Sequence, residues 1–131
     1  MSLGYNVTLR NNKLDEITAL AGTSAQIILY DGTQPATGGS ATTEVATLTG
    51  NATQFALGAS GGVLTLSAIT DDTSATGGTA TWFRINSSGG ATHIMDGTVG
   101  TGSEDLVLNN NVITATANVS ITSFTITDNN A

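Results

Sequence analysis

"TATWFRINSSGGATHIMDGTVG", residues 79–100, brings together Trp82, Arg84 and His93: the sole tryptophan, one of two arginines and the sole histidine of the chain. The stretch reads either as a chemical centre or as a hairpin, and the choice decides the fold. With "SSGG" as the tip, "TATWFRIN" and "ATHIMD" become two arms of β-branched and aromatic residues. An even-length loop around residues 88–89 sets Arg84 opposite His93, Trp82 opposite Met95, Phe83 opposite Ile94 and Ile85 opposite Thr92. Phe83, Ile85 and Ile94 then share an apolar face, and Trp82, Arg84, His93 and Met95 a mixed one.

A Ser-His-Asp scheme in this chain has to use His93. In the register above, Asp96 points to the opposite face and forms no dyad with it, while Arg84 opposite the imidazole disfavours its charged form. A structural or surface histidine is therefore expected ahead of a catalytic one. Trp82 has the chemistry to stack on a sugar, but also to cover a core or meet a neighbouring subunit. It is retained as a candidate interface residue.

Downstream of residue 24 the same two-residue period recurs. "AQIILY" (25–30) is a compact apolar run suited to a buried strand, followed by the turn-rich "DGTQPATGGS" with the sole proline, Pro35. "EVATLT" (44–49), "TQFAL" (53–57), "GVLTLSA" (62–68), "DLVLN" (105–109), "VITATA" (112–117) and "VSITSFTIT" (119–127) read as further short strands, each bounded by Gly, Asn, Asp or Ser. In "GVLTLSA" the residues Leu64, Leu66 and Ala68 share a face. In the last segment the apolar phase moves from Val119 and Ile121 to Phe124 and Ile126, which predicts a bulge near residues 122–123. "ATGGSAT" (36–42) and "ATGGTAT" (75–81) match each other, and read as equivalent glycine turns rather than as a repeat.

The N-terminal segment differs. Val7, Leu14, Ile17 and Ala21 follow helical spacing, with Leu20 beside them. Asn6 or Thr8 can cap the start and Gly22 can end the helix. The expected organisation is one domain over residues 1–131: an arm (1–6), a helix (7–21) and an antiparallel β-sandwich or jelly roll (24–128), hence an all-β class with one N-terminal α-helix.

Composition excludes several roles. Ten acids against Arg10, Lys13 and Arg84 give a net charge of −7, and three scattered cations cannot displace counterions from nucleic acid or dock on an anionic membrane. Neither partner is expected. Charged residues make up 10% of the chain, well under the usual share of about 25%; 24 threonines help fill the difference. The absence of cysteine removes disulfides and thiolate metal sites. "MSLGYNVTLRNNKL" lacks a basic region followed by an apolar run, so no secretion signal is expected, and the sequons at Asn6, Asn51, Asn86 and Asn118 carry little weight.

The adjacent acids Asp71–Asp72 and Glu104–Asp105 are expected to form turns whose side chains cap nearby backbone. "DDTSATGG" lacks the alternating carboxylates of a strong calcium loop. Phosphate-loop, nucleophile-elbow and zinc-protease motifs are missing too, so neither enzymatic activity nor a metal or other cofactor is expected.

Across nearly its whole length the sequence resembles the small all-β structural proteins of tailed-bacteriophage virions, most of all capsid decoration (cement) proteins. The likeness is carried chiefly by "YDGTQPATGG" (30–39) and "GTATWFRI" (78–85). It implies a non-enzymatic subunit on the outer capsid surface, partnered by the major capsid protein, bridging capsid subunits and forming a homo-oligomer (a dimer or trimer). A neck, tail or carbohydrate-binding receptor module is the alternative. The arm residues Leu3 and Tyr5, with too few neighbours to build a core of their own, join Trp82 as candidate contact residues.

Overall fold

The computed structural model describes residues 3–51, 58–67, 69–122 and 124–129. The protein is β-rich, with one helix and a curled six-stranded sheet. Helix α1 spans Val7–Ala21, opened by Asn6, whose side chain accepts a hydrogen bond from the Leu9 amide at 2.8 Å, and closed at Gly22. Leu14 and Ala21 turn into the core, whereas Val7, Leu9 and Leu20 remain exposed. Polar groups complete the docking. The Arg10 guanidinium lies against Gly62 and donates to the Asp128 carbonyl, Asn11 accepts from the Gly62 amide, and Asp15 accepts from the Ala59 amide.

The strands are β1 (Gln26–Asp31), β2 (Thr43–Gly50), β3 (Val63–Leu66), β4 (Ile69–Thr70), β5 (Gly78–Thr79), β6 (Trp82–Asn86), β7 (His93–Gly100), β8 (Leu106–Val107), β9 (Val112–Ile113) and β10 (Phe124–Thr127). The main sheet runs β4-β2-β1-β6-β7-β8, while β10 pairs with β3 and β5 with β9. Its inner face carries Ile27, Leu29, Leu48, Phe83 and Ile85, packed in one apolar cluster with Leu64, Leu66 and Phe124 of the β3–β10 pair. Phe83 meets Phe124 edge to face at 5.3 Å. Opposite Phe83 in β7 stands Gly97, where a Cβ would sit 2.5 Å from the Phe83 ring. A bare backbone at that position makes room for the aromatic.

Several expectations are corrected here. "DLVLN" contributes only Leu106–Val107, and β8 runs parallel to β7 rather than antiparallel. A parallel return normally needs a long crossover. Here a short one suffices, because β8 pairs only with Val99 and Gly100 at the far end of β7. "VITATA" is a strand only at Val112–Ile113, after which the chain turns through Thr116 at φ +64°. The final strand starts at Phe124; Val119, Ile121 and Phe124 are all buried, as the shifted apolar phase requires. "TQFAL" and Ala68 lie outside the described residues, and so does Ser123, where the bulge was expected.

The hairpin register also differs. Ser87 pairs with Thr92 around a turn that includes Ser88–Gly90, so the arms meet two residues later than a tip at 88–89 allows. An irregularity between Ile85 and Asn86 then adds one more residue to β7. The sum is a three-residue shift: Arg84 faces Asp96, not His93. An odd shift changes which side chains share a face.

Thr116 is a β-branched residue in left-handed backbone, its amide held by the Ala75 carbonyl at 2.7 Å. That conformation costs a non-glycine residue roughly 1–2 kcal/mol. Thr116→Gly removes the strain and adds back about 0.5–1 kcal/mol of unfolded-chain entropy. Its urea midpoint is expected to rise, by up to about 1 kcal/mol of stability at unchanged m-value.

Candidate functional site

The outer face of the main sheet holds a second, smaller apolar cluster of Ile28, Tyr30 and Trp82. These residues alternate with the inner set along β1 and β6, so both faces of the two central strands are covered. Tyr30 and Trp82 are cross-strand partners with rings stacked at 4.3 Å, and the Arg84 guanidinium lies 5.3 Å from the Trp82 ring centre.

The cover is the β1–β2 connection, residues 32–42. At its base, the Thr81 hydroxyl donates to the Gly32 carbonyl at 2.5 Å and the Thr42 hydroxyl donates to the Asp31 carbonyl. Trp82 Nε1 donates to Thr42 Oγ1 at 2.8 Å. The far part of the loop is latched by charge. Arg84 grips Asp96 with Nε to Oδ1 at 2.7 Å and Nη2 to Oδ2 at 2.9 Å. The same Nη2 donates to the Gly39 carbonyl, and the Gly38 amide donates to Asp96 Oδ2 at 3.0 Å. The ion pair thus ties β6, β7 and the loop together.

Both charges are out of water: the Arg84 side chain is 10% exposed and that of Asp96 1%. Burial alone would raise the Asp96 carboxyl. Hydrogen bonds from Arg84 and from the Gly38 amide, with the guanidinium charge, outweigh it and hold the carboxyl below the ordinary carboxylate range. The hydrogen bond to Asp96 likewise raises the Arg84 pKa. Burial, helped by the Glu44 charge, raises the Tyr30 phenol.

His93 stands at the edge of this cluster, opposite Asn86. Its Nε2 is buried 3.1 Å from Asp96 Oδ1, yet outside hydrogen-bonding geometry. The register shift therefore corrects the expectation that His93 and Asp96 stand apart. Asp96 already carries Arg84 and the Gly38 amide, which suits it to a latch more than to orienting an imidazole.

Of the candidate contact residues, Leu3 is 58% exposed and Tyr5 half-buried, with Lys13 Nζ 4.5 Å from the Tyr5 ring centre. Trp82 has no exposed surface at all. It reaches neither a sugar nor a neighbouring subunit while residues 32–42 stay closed. The structure does not bring the three together as one patch. What sequence reasoning missed was the pairing of Arg84 with Asp96 and the covering loop. The signal available for the second was the unbroken apolar run "IILY" (27–30), which marks a strand covered on both faces.

The two adjacent acid pairs hold backbone amides and polar side chains. Asp72 Oδ1 accepts from the Ser74 amide and hydroxyl, and its Oδ2 accepts from the Thr47 amide at 2.8 Å. Burial would raise this carboxyl, but those hydrogen bonds bring it below its usual value. Asp71 accepts from the Asn118 side chain. Asp105 accepts from the Thr98 amide and hydroxyl, and Glu104 from the Gly102 amide. Among the described residues no three of His, Cys, Asp and Glu cluster as a metal site, and no helix is long and apolar enough to cross a membrane. No known protein family, curated protein or solved structure matches the chain.

Removing one partner of a buried pair strands the other charge. Asp96→Ala is expected to cost about 3–5 kcal/mol in chemical denaturation, whereas Arg84→Met combined with Asp96→Leu loses much less than the two single changes added together. Acid sensitivity has a defined sign. Because the folded-state Asp96 carboxyl is lowered, its stabilisation is complete above the ordinary carboxylate range, near pH 4, and is lost as pH falls through its lowered value. A stability–pH curve of Asp96→Asn is expected to show a shallower acid limb than that of the unaltered protein.

Proposed function

We propose that this chain is a structural subunit of a tailed-phage virion: a decoration (cement) protein that binds the outer capsid surface and stabilises the shell by bridging capsid subunits. The proposed architecture is a sandwich of jelly-roll type, with the β3–β10 pair as the layer facing the main sheet. The contact between Phe83 and Phe124 across the core supports that closure.

The observation that carries the functional reading is where the polar chemistry goes. Arg84, Asp96, Asp72, Asp105 and Glu104 all hold backbone or each other in place. A loop latched in this way suits a rigid part repeated over a surface. Contacts made only with the mature shell stabilise the particle by linkage, and symmetry multiplies modest contacts into avidity. Net charge of −7 suits a position away from packaged DNA.

Quantitative mass spectrometry of purified virions, paired with cryo-electron microscopy, tests the proposal. The expected result is a copy number approaching that of the shell protein and density on the outside of the capsid. A few copies per particle would favour the neck or tail, and density inside the shell would overturn the proposal.

A further inference from the structure

The dipeptide Asp-Gly occurs twice in the chain, at residues 31–32 and 96–97, and the fold treats the two copies in opposite ways. The first stands at the base of the 32–42 loop. There the Gly32 amide donates to the side chain of the residue before it, Asp31 Oδ1, at 2.6 Å. That contact sets the Gly32 nitrogen beside Cγ of the Asp31 carboxyl. We propose that Asp31–Gly32 is a site of spontaneous aspartate isomerisation in the folded protein, and that Asp96–Gly97 is shielded from the same reaction.

The chemistry needs no enzyme and no reagent but water. The Gly32 nitrogen bonds to Asp31 Cγ, and the amide hydrogen leaves with the hydroxyl of the neutral carboxyl as one water, closing a five-membered succinimide. Water then adds to one of the two ring carbonyls. Opening at Cγ restores aspartate. Opening at the former main-chain carbonyl breaks its bond to the Gly32 nitrogen and leaves isoaspartate, with the chain running through Cγ.

Three features favour the step at Asp31. Gly32 has no side chain to obstruct the attack, and its φ of +90° is backbone that other residues rarely adopt. Strand pairing has also stopped there: β1 pairs with β6 as far as Tyr30 and with β2 as far as Asp31, so Gly32 lies outside both ladders, where local opening is easiest. The carboxyl itself is open. Among the described residues the Gly32 amide is its one hydrogen-bond donor, and beside Oδ2 stands Gly78, with no side chain to cover it.

Asp96 differs in every respect but the glycine. Asp96 and Gly97 lie within the β6–β7 ladder, opposite Arg84 and Phe83. The Asp96 oxygens are turned to the Arg84 guanidinium and the Gly38 amide, in a side chain 1% exposed. Those partners keep the carboxyl ionised, and an ionised carboxyl has no hydroxyl to lose. At residue 31 the product adds one atom to the main chain and turns the carbonyl that accepts from the Thr42 hydroxyl into a free carboxylate. The change falls where the loop joins β1, away from the Arg84–Asp96 latch.

Purified protein alone tests this, apart from the virion reading. The protein is held folded at mildly acidic pH and mapped by peptide fragmentation that tells isoaspartate from aspartate. Isoaspartate is expected to accumulate at residue 31 and stay at background at residue 96; in urea, above the unfolding transition, the two sites are expected to converge. Residue 31 at background in the folded protein, through an incubation that converts it in the denatured chain, overturns the proposal. So does accumulation at residue 96 that matches residue 31 while the protein is folded. Asp31→Asn gives an independent reading, because the same attack then expels ammonia and shifts the mass. This variant is expected to deamidate at residue 31 while folded, and an amide that survives there but is lost in urea overturns the proposal as well.

Discussion

The outer half of the structure depends on the Arg84–Asp96 pair. Desolvating two charges is costly, and their attraction repays it only with near-ideal geometry and further hydrogen bonds. Both conditions are met: the grip is bidentate, and the Gly38 amide and Gly39 carbonyl take up one more acceptor and one more donor site. Without the pair, the hydrogen bonds left between residues 32–42 and the sheet, among the described residues, are those at the base, at Gly32, Thr42 and Thr81. Tyr30 and Trp82 would then sit under a cover with no anchor at its far end. The pair is thus worth more as a fastener between loop and sheet than its net stability suggests.

The geometry that makes the pair is itself a product of turn chemistry. A tighter tip would have left Arg84 facing an imidazole. The longer Ser88–Gly90 turn and the irregularity beside Ile85 bring a carboxylate there instead. Neither feature has a strong signature in "INSSGGATH", since serine and glycine fit tips of either length. The register was therefore the least legible part of the fold, and the candidate site inherited the error. Helix α1 was the most legible, because its cap at Asn6, its apolar spacing and its end at Gly22 all point the same way. Of the central strands, β1 was legible from its continuous apolar run and β6 from its aromatic and β-branched residues. The short strands β8 and β9 were legible in place but not in extent, and the parallel direction of β8 was not legible at all, because two residues carry no periodicity.

A common economy runs through the polar residues. The protein has few charges, and those described here tie chain segments that propensity would leave loose: Asp72 joins the 71–74 turn to β2, Asp105 joins the approach to β8 to β7, and Arg10 joins α1 to the chain end at Asp128. With no cysteine to form disulfides, a threonine- and glycine-rich chain can gain its rigidity in this way, as the proposed building block would require.

Full enclosure of Trp82 has one more consequence. It is the sole indole of the chain, and its ring nitrogen bonds to the loop that conceals it. Its fluorescence is therefore a native optical gauge of that loop: emission stays blue while water is shut out and reddens once the cover lifts, with no dye attached.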